Sequence, residues 1–97
     1  MTEEEITARI VRIEGSVQGV GFRAFAIQGA RQLKLTGWVR NRSDGSMEAL
    51  VAGTTKAIEN FVSACVQGPP GARVTAVELS DAEIPPAGEG FVQRPTL

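Results

Sequence analysis

The chain has no histidine and only one cysteine. Without histidine there is no Ser-His-Asp or Cys-His catalysis, no phosphohistidine chemistry and no histidine-ligated zinc. An enzyme built from it must work with arginine, lysine, carboxylates, amides, hydroxyls and the backbone. One cysteine cannot close an intrachain disulfide, which suits a reducing compartment. Cys65 lies in an apolar helical stripe and reads as a small core residue, not a nucleophile. An excess of either charge is also missing. Lys+Arg 10 against Asp+Glu 11 leaves a net charge of -1, so bulk charge does not direct the chain to nucleic acid or a membrane surface. No apolar run is long enough to span a bilayer. The acidic start, Met1 to Glu5, lacks the basic and apolar regions of a signal peptide. A cytoplasmic location is the expectation.

The 97 residues, 42% of them hydrophobic, predict one domain (1–97) with a modest core that needs no disulfide or metal. Residues 1–5 read as a frayed, solvated tail. An apolar, β-branched run predicts a first strand over 6–14, its alternation interrupted by Arg9 and Arg12. A glycine-rich loop, 15–21, follows. Phe22, Phe25, Ala26, Gly29, Ala30 and Leu33 then mark one face of a helix. Gly29 costs helix stability and predicts close packing on a sheet.

Leu35 to Asn41 predicts a second strand, Ser43-Asp44-Gly45 a turn, and Ser46 to Ala52 the returning strand with Met47, Ala49 and Val51 inward. Gly53 is expected to end this hairpin. Thr54 or Thr55 caps a second helix with Ile58, Phe61, Val62 and Cys65 in its stripe. Gly68 and Pro69-Pro70 stop it. Residues 73–80 read as a fourth strand. Pro85-Pro86 and Gly88 to Gly90 make a loop. Phe91 to Arg94 predicts a short edge strand closed by Pro95. The order is that of an α+β, ferredoxin-like βαββαβ sandwich: an antiparallel sheet, two helices on one face, and a short C-terminal strand. Right-handed crossovers place the first and third strands side by side.

The chemistry is expected in Gly15-Ser16-Val17-Gln18-Gly19-Val20-Gly21-Phe22-Arg23. Glycines let backbone N–H groups converge on a ligand, and the helix N-terminus adds unpaired N–H groups and partial positive charge. The expected occupant is an anion, foremost a phosphate. Arg23 falls in the first helical turn, where the helix dipole disfavours a cation. A bound anion removes that conflict, and guanidinium is a fork-shaped phosphate binder. Gly19-Val20-Gly21-Phe22-Arg23-Ala24 also fits a dinucleotide fingerprint, but no acidic residue closes the next strand. A P-loop fails for want of Gly-Lys-Ser/Thr. Asn41 ends the second strand just before the turn. It reads equally as a turn residue or as an amide that orients a water molecule. Ser16 has no evident base beside it, and Trp38 reads as packing.

The first run resembles the acylphosphatase signature G-x-V-Q-G-V-x-F-R. Gly37-Trp38-Val39-Arg40-Asn41-x-x-x-Gly45 resembles that family's second signature, with Gly53 at its last glycine. Gly68-Pro69-Pro70 with Ala72 and Val74, and Phe91 to Arg94, are also similar to the family. Met47 stands where valine is usual, Gln93 where an aliphatic residue is expected, and the acidic tail lies outside the likeness. The resemblance implies hydrolysis of a carboxylic–phosphoric anhydride to a carboxylate and inorganic phosphate, without cofactor, metal or covalent intermediate. It implies that Arg23 and the backbone of Val17, Gln18, Gly19, Val20, Gly21 and Phe22 hold the phosphoryl group, and that Asn41 orients the attacking water.

Such chemistry needs positioning and charge stabilisation more than a strong base, because an acyl phosphate carries a good leaving group. It requires the end of the second strand to lie at the same sheet edge as the glycine loop. The expected partners are a small acyl phosphate and phosphate, with no nucleic acid, no membrane and a monomeric chain. Two rivals share the fold. One is a non-catalytic anion-binding or regulatory module, as occurs at the start of hydrogenase-maturation proteins. The other is an RNA-binding sheet, which needs more central aromatics than Trp38 and a basic face.

Overall fold

The computed structural model describes residues 5–86 and 90–97. Its elements are β1 (Ile6–Ser16), α1 (Phe22–Gln32), β2 (Thr36–Asn41), β3 (Met47–Thr54), α2 (Thr55–Gln67), β4 (Arg73–Asp81) and β5 (Phe91–Gln93). The five strands form one sheet in the order β4-β1-β3-β2-β5. The first and third strands are neighbours, as right-handed crossovers require. The first four strands pair antiparallel, whereas β5 runs parallel to β2. The sheet is therefore mixed, not wholly antiparallel: the chain leaves β4 at one edge and returns at the far edge beside β2. The acidic start (1–4) and most of the 88–90 loop lie outside the described residues, and Glu5 is exposed ahead of β1.

Period-two patterning sorts the sheet into two faces. Val11 and Ile13 of β1, Val39 of β2, and Met47, Ala49 and Val51 of β3 are buried on one face. They pack with Phe22, Ala26 and Ala30 of α1, with Ile58, Phe61 and Cys65 of α2, and with Phe91. On the other face Ala8, Leu50 and Ala52 form a smaller cluster with Ile10, Trp38 and Ala82. Trp38 is a packing residue there, with the Arg40 guanidinium 4.5 Å from its ring centroid. Beside this apolar row runs a charged one. Glu78, Arg12, Glu48 and Arg40 are cross-strand partners on four adjacent strands, alternating in sign, an arrangement that favours this register.

Several element boundaries and one packing expectation differ from the sequence reading. β1 continues to Ser16, because a bulge at Glu14/Gly15 keeps it paired with β4. Gly15 is required there: a Cβ would lie 2.0 Å from the Arg73 carbonyl oxygen. The loop therefore shortens to 17–21. β3 runs on through Gly53 to Thr54, whose partners are Thr7 and Ile6. Thr54 then caps α2, its hydroxyl accepting from the Ala57 N–H at 3.1 Å. Gly29 does not mark close packing, since a Cβ placed on it meets nothing within 4 Å. It lines a groove between α1 and α2 with Phe25, Ala26, Phe61 and Cys65.

Candidate active site

The site lies where β1, α1 and β2 meet at one end of the sheet. Ile13 pairs with Met47, and Met47 with Asn41, so the three occupy one row across β1, β3 and β2. Ile13 and Met47 are fully buried on the helix-covered face. Asn41, two residues beyond buried Val39, shares that side, and β1 gives way to the glycine loop just beyond the row. The end of the second strand and the loop therefore lie at the same sheet edge.

Two buried apolar side chains, Val17 and Phe22, anchor the ends of the loop. Between them Gly19 and Gly21 take φ of +76° and +80°, a left-handed conformation that side chains resist. A Cβ added at Gly71 of the α2–β4 turn would lie 3.9 Å from the Val20 side chain. Gly21 is the N-cap of α1 and offers no capping side chain. Among the described residues, the N–H groups of Gly19, Val20 and Gly21 meet no protein acceptor. The first turn of α1 holds no acidic residue. Arg23, half-buried there, has no ion-pair or hydrogen-bond partner among the described residues. Loop N–H groups without protein acceptors, a helix N-terminus and an unpaired guanidinium together suit a multiply charged anion.

Asn41 approaches from the hairpin. Its side-chain Oδ1 is buried and has no protein hydrogen-bond partner among the described residues. A buried amide oxygen left unpaired costs about 1–3 kcal/mol, and such an orphan in a native site calls for a function. The backbone around it is held from several sides. The Asn41 carbonyl accepts from the Leu97 N–H at 3.2 Å, and the Ser43 N–H donates to the Leu97 carbonyl at 2.9 Å. The Arg42 N–H donates to the Ser46 carbonyl at 2.8 Å. Asp44 accepts from the Ser46 N–H at 2.9 Å and from its hydroxyl at 2.6 Å. Those two bonds, and then Arg12, hold the Asp44 carboxyl well below the usual carboxylate range. Glu48 receives Arg40 at 2.8 Å and Arg42 at 3.4 Å.

Gln18 joins the two halves. Its side-chain Nε2 donates to the Arg42 carbonyl at 2.8 Å and to the Ser46 carbonyl at 2.9 Å. Its carboxamide is thus committed to the turn, and only its backbone N–H remains for an anion. No pattern in the sequence distinguishes a glutamine that clamps a distant turn from one that faces a ligand. The docking of Leu97 was equally invisible, because main-chain bonds of an irregular segment leave no side-chain signal. Cys65 is buried, and burial pushes its thiol up to about 12, far from nucleophilic. Among the described residues no three His, Cys, Asp or Glu side chains gather as a metal site.

The family model for acylphosphatase matches residues 9–93. An acylphosphatase of Acidiphilium cryptum (strain JF-5) is 53% identical, over 92% of this chain and 97% of its own length. An acylphosphatase structure from Coxiella burnetii superposes with a TM-score of 0.87 at 33% identity, covering 97% of this chain and all of the other. Full-length HypF in its phosphate- and nucleotide-bound form superposes at 0.86 and 31% identity, covering 98% of this chain but 13% of HypF. On this evidence, the chain belongs to the acylphosphatase family.

Proposed function

We propose that the chain hydrolyses the carboxylic–phosphoric anhydride bond of small acyl phosphates, with Arg23, the 17–22 backbone and Asn41 as its machinery. The phosphoryl group sits in the loop, its oxygens receiving the free N–H groups and the Arg23 guanidinium. Asn41 Oδ1 accepts from a water molecule and aligns it with phosphorus. The water oxygen forms the new P–O bond, the bond from phosphorus to the acyl oxygen breaks, and the carboxylate leaves. With the phosphoryl group entering as a dianion, both protons of the water stay with the product, which is dihydrogen phosphate beside the free carboxylate. Charge that develops on the phosphoryl oxygens is met by donors already in place, so little reorganisation is needed. The observation that carries this reading is the buried Asn41 oxygen, without a hydrogen-bond partner among the described residues, at the start of a turn that Gln18 ties to a loop of free N–H groups.

The reading extends to a single domain acting as a monomer in the cytoplasm, without metal, nucleic acid or membrane. The single domain is supported by the family match across 9–93 and by a radius of gyration of 12.6 Å, close to the ~13 Å of a compact 100-residue domain. No described helix is long and apolar enough to cross a membrane, and the lone cysteine is unpaired. A second reading, a non-catalytic phosphate-binding module, draws on the match to a small part of HypF. Turnover of benzoyl phosphate with and without EDTA separates the two. The enzyme gives EDTA-insensitive hydrolysis that is lost in Asn41→Ala, while phosphate still inhibits or binds. Arg23→Ala loses both turnover and phosphate binding. Phosphate binding without turnover in the folded wild-type chain would favour the module.

A further inference from the structure

We infer that Gln18 is a positioning residue. Its carboxamide sets the separation between the phosphate loop and the hairpin that carries Asn41, and it does not bind phosphate. The inference rests on the catalytic reading above. Both acceptors of Gln18 Nε2, the carbonyls of Arg42 and Ser46, belong to the turn that follows Asn41. An amide nitrogen has two N–H donors, and both are used. The same Ser46 carbonyl receives the Arg42 N–H, so Gln18 grips the turn at the point where it closes. Among the described residues, no other side-chain hydrogen bond joins the loop to the turn. The Arg12–Asp44 pair reaches the turn from β1, not from the loop. The two halves of the site come from separate elements, a βα loop and a ββ hairpin. Their alignment therefore depends on this clamp and on the packing beneath it.

In-line attack tolerates little misalignment, and a displacement of about 1 Å costs on the order of a hundredfold in rate. Gln18→Met keeps the length of the side chain and removes both donors. It is expected to lower kcat for benzoyl phosphate by at least about tenfold. The inhibition constant for inorganic phosphate should change by less than about threefold, because the loop N–H groups and Arg23 remain. In an Asn41→Ala background the same substitution should have almost no further effect, since nothing is left to position.

Gln18→Glu supplies a second readout. A carboxylate facing two carbonyl oxygens is disfavoured, so its proton affinity rises, and the protonated acid can donate one bond. The activity of this variant relative to wild type, measured at each pH so that substrate ionisation cancels, should climb as pH falls. Three results would overturn the inference. One is a raised phosphate inhibition constant with kcat unchanged, which makes Gln18 a ligand. Another is an equal fall in rate in both the wild-type and Asn41→Ala backgrounds. The third is a flat relative pH profile for Gln18→Glu. Failure of the catalytic reading itself looks different: Asn41→Ala alone would then turn over normally.

Discussion

Asn41→Ala should abolish turnover without destabilising the fold. A residue of an antiparallel strand, next to buried Met47 in its row, would ordinarily be expected to contribute to stability. Its backbone does so through its pairing with Met47 and through the Leu97 N–H, and alanine keeps both. The side chain contributes no protein hydrogen bond through Oδ1. An unsatisfied buried acceptor costs about 1–3 kcal/mol, and a water molecule that pairs with it returns part of that. Removing the carboxamide should therefore leave stability unchanged or raise it by about 1 kcal/mol, equivalent to 4–8 °C in Tm for a domain of this size. Urea denaturation and thermal melts of the two proteins, run beside benzoyl phosphate hydrolysis, measure both quantities. The functional loss should be large, on the order of a hundredfold or more, because an unaligned water must find the attack geometry by itself. A variant that is inactive but also destabilised by more than about 1 kcal/mol would refute the reasoning, since it would show that the carboxamide has a structural partner worth that much.

Three further substitutions follow from the fold. Gly29→Ala should stabilise α1 by about 1 kcal/mol, because the new Cβ meets nothing within 4 Å; a loss of Tm would mean that a side chain there clashes across the α1–α2 groove. Lys34, just past the Leu33 C-cap of α1, takes φ of +61°, while the Leu35 N–H reaches back to the Ala30 carbonyl at 2.9 Å. Lys34→Gly relieves left-handed strain of about 1–2 kcal/mol, less about 0.4–1 for a freer unfolded chain, and should raise the urea midpoint. Asp44 has its folded pKa lowered from 3.8, so its contribution is complete above that value and is lost as pH falls below it. The stability of wild type should therefore drop faster below pH 3.8 than that of Asp44→Asn, and parallel acid-unfolding curves would refute the role of the Ser46 and Arg12 contacts.

What the sequence makes legible here is whatever depends on side-chain pattern or on glycine geometry. The α1 stripe, the inward faces of β3, the Thr54 cap and the glycine loop all come from local periodicity or from local backbone demands. The fold class follows from them by the handedness of crossovers. Gly29 misleads for an instructive reason. A glycine inside a helix costs stability, and close packing is one compensation. The same cost can also stand uncompensated in a groove, as it does here. The parallel pairing of β5 with β2 is a consequence of where the long connection returns, which no local pattern encodes. Arg23 and Asn41 stand out as an awkwardly placed cation and a turn-edge amide, but their shared sheet edge rests on the strand order.

The absence of histidine and the placement of Asn41 are linked through this architecture. On the proposed mechanism the leaving group is a carboxylate, so no strong acid is needed there, and a water molecule held in line needs little base strength. Rate must then come from alignment, and alignment requires that the hairpin not drift from the loop. The turn after Asn41 is restrained from several sides. It has the Arg42–Ser46 main-chain bond, the Asp44 bonds to Ser46, the Arg12 and Glu48 ion pairs, the Leu97 bridge and the Gln18 clamp. The surface ion pairs are each worth at most about 1 kcal/mol, so they cannot by themselves set the geometry. The bonds to turn carbonyls and amides act directly on the backbone that carries Asn41, and under the proposed mechanism they are where alignment, and with it rate, should be most sensitive to substitution.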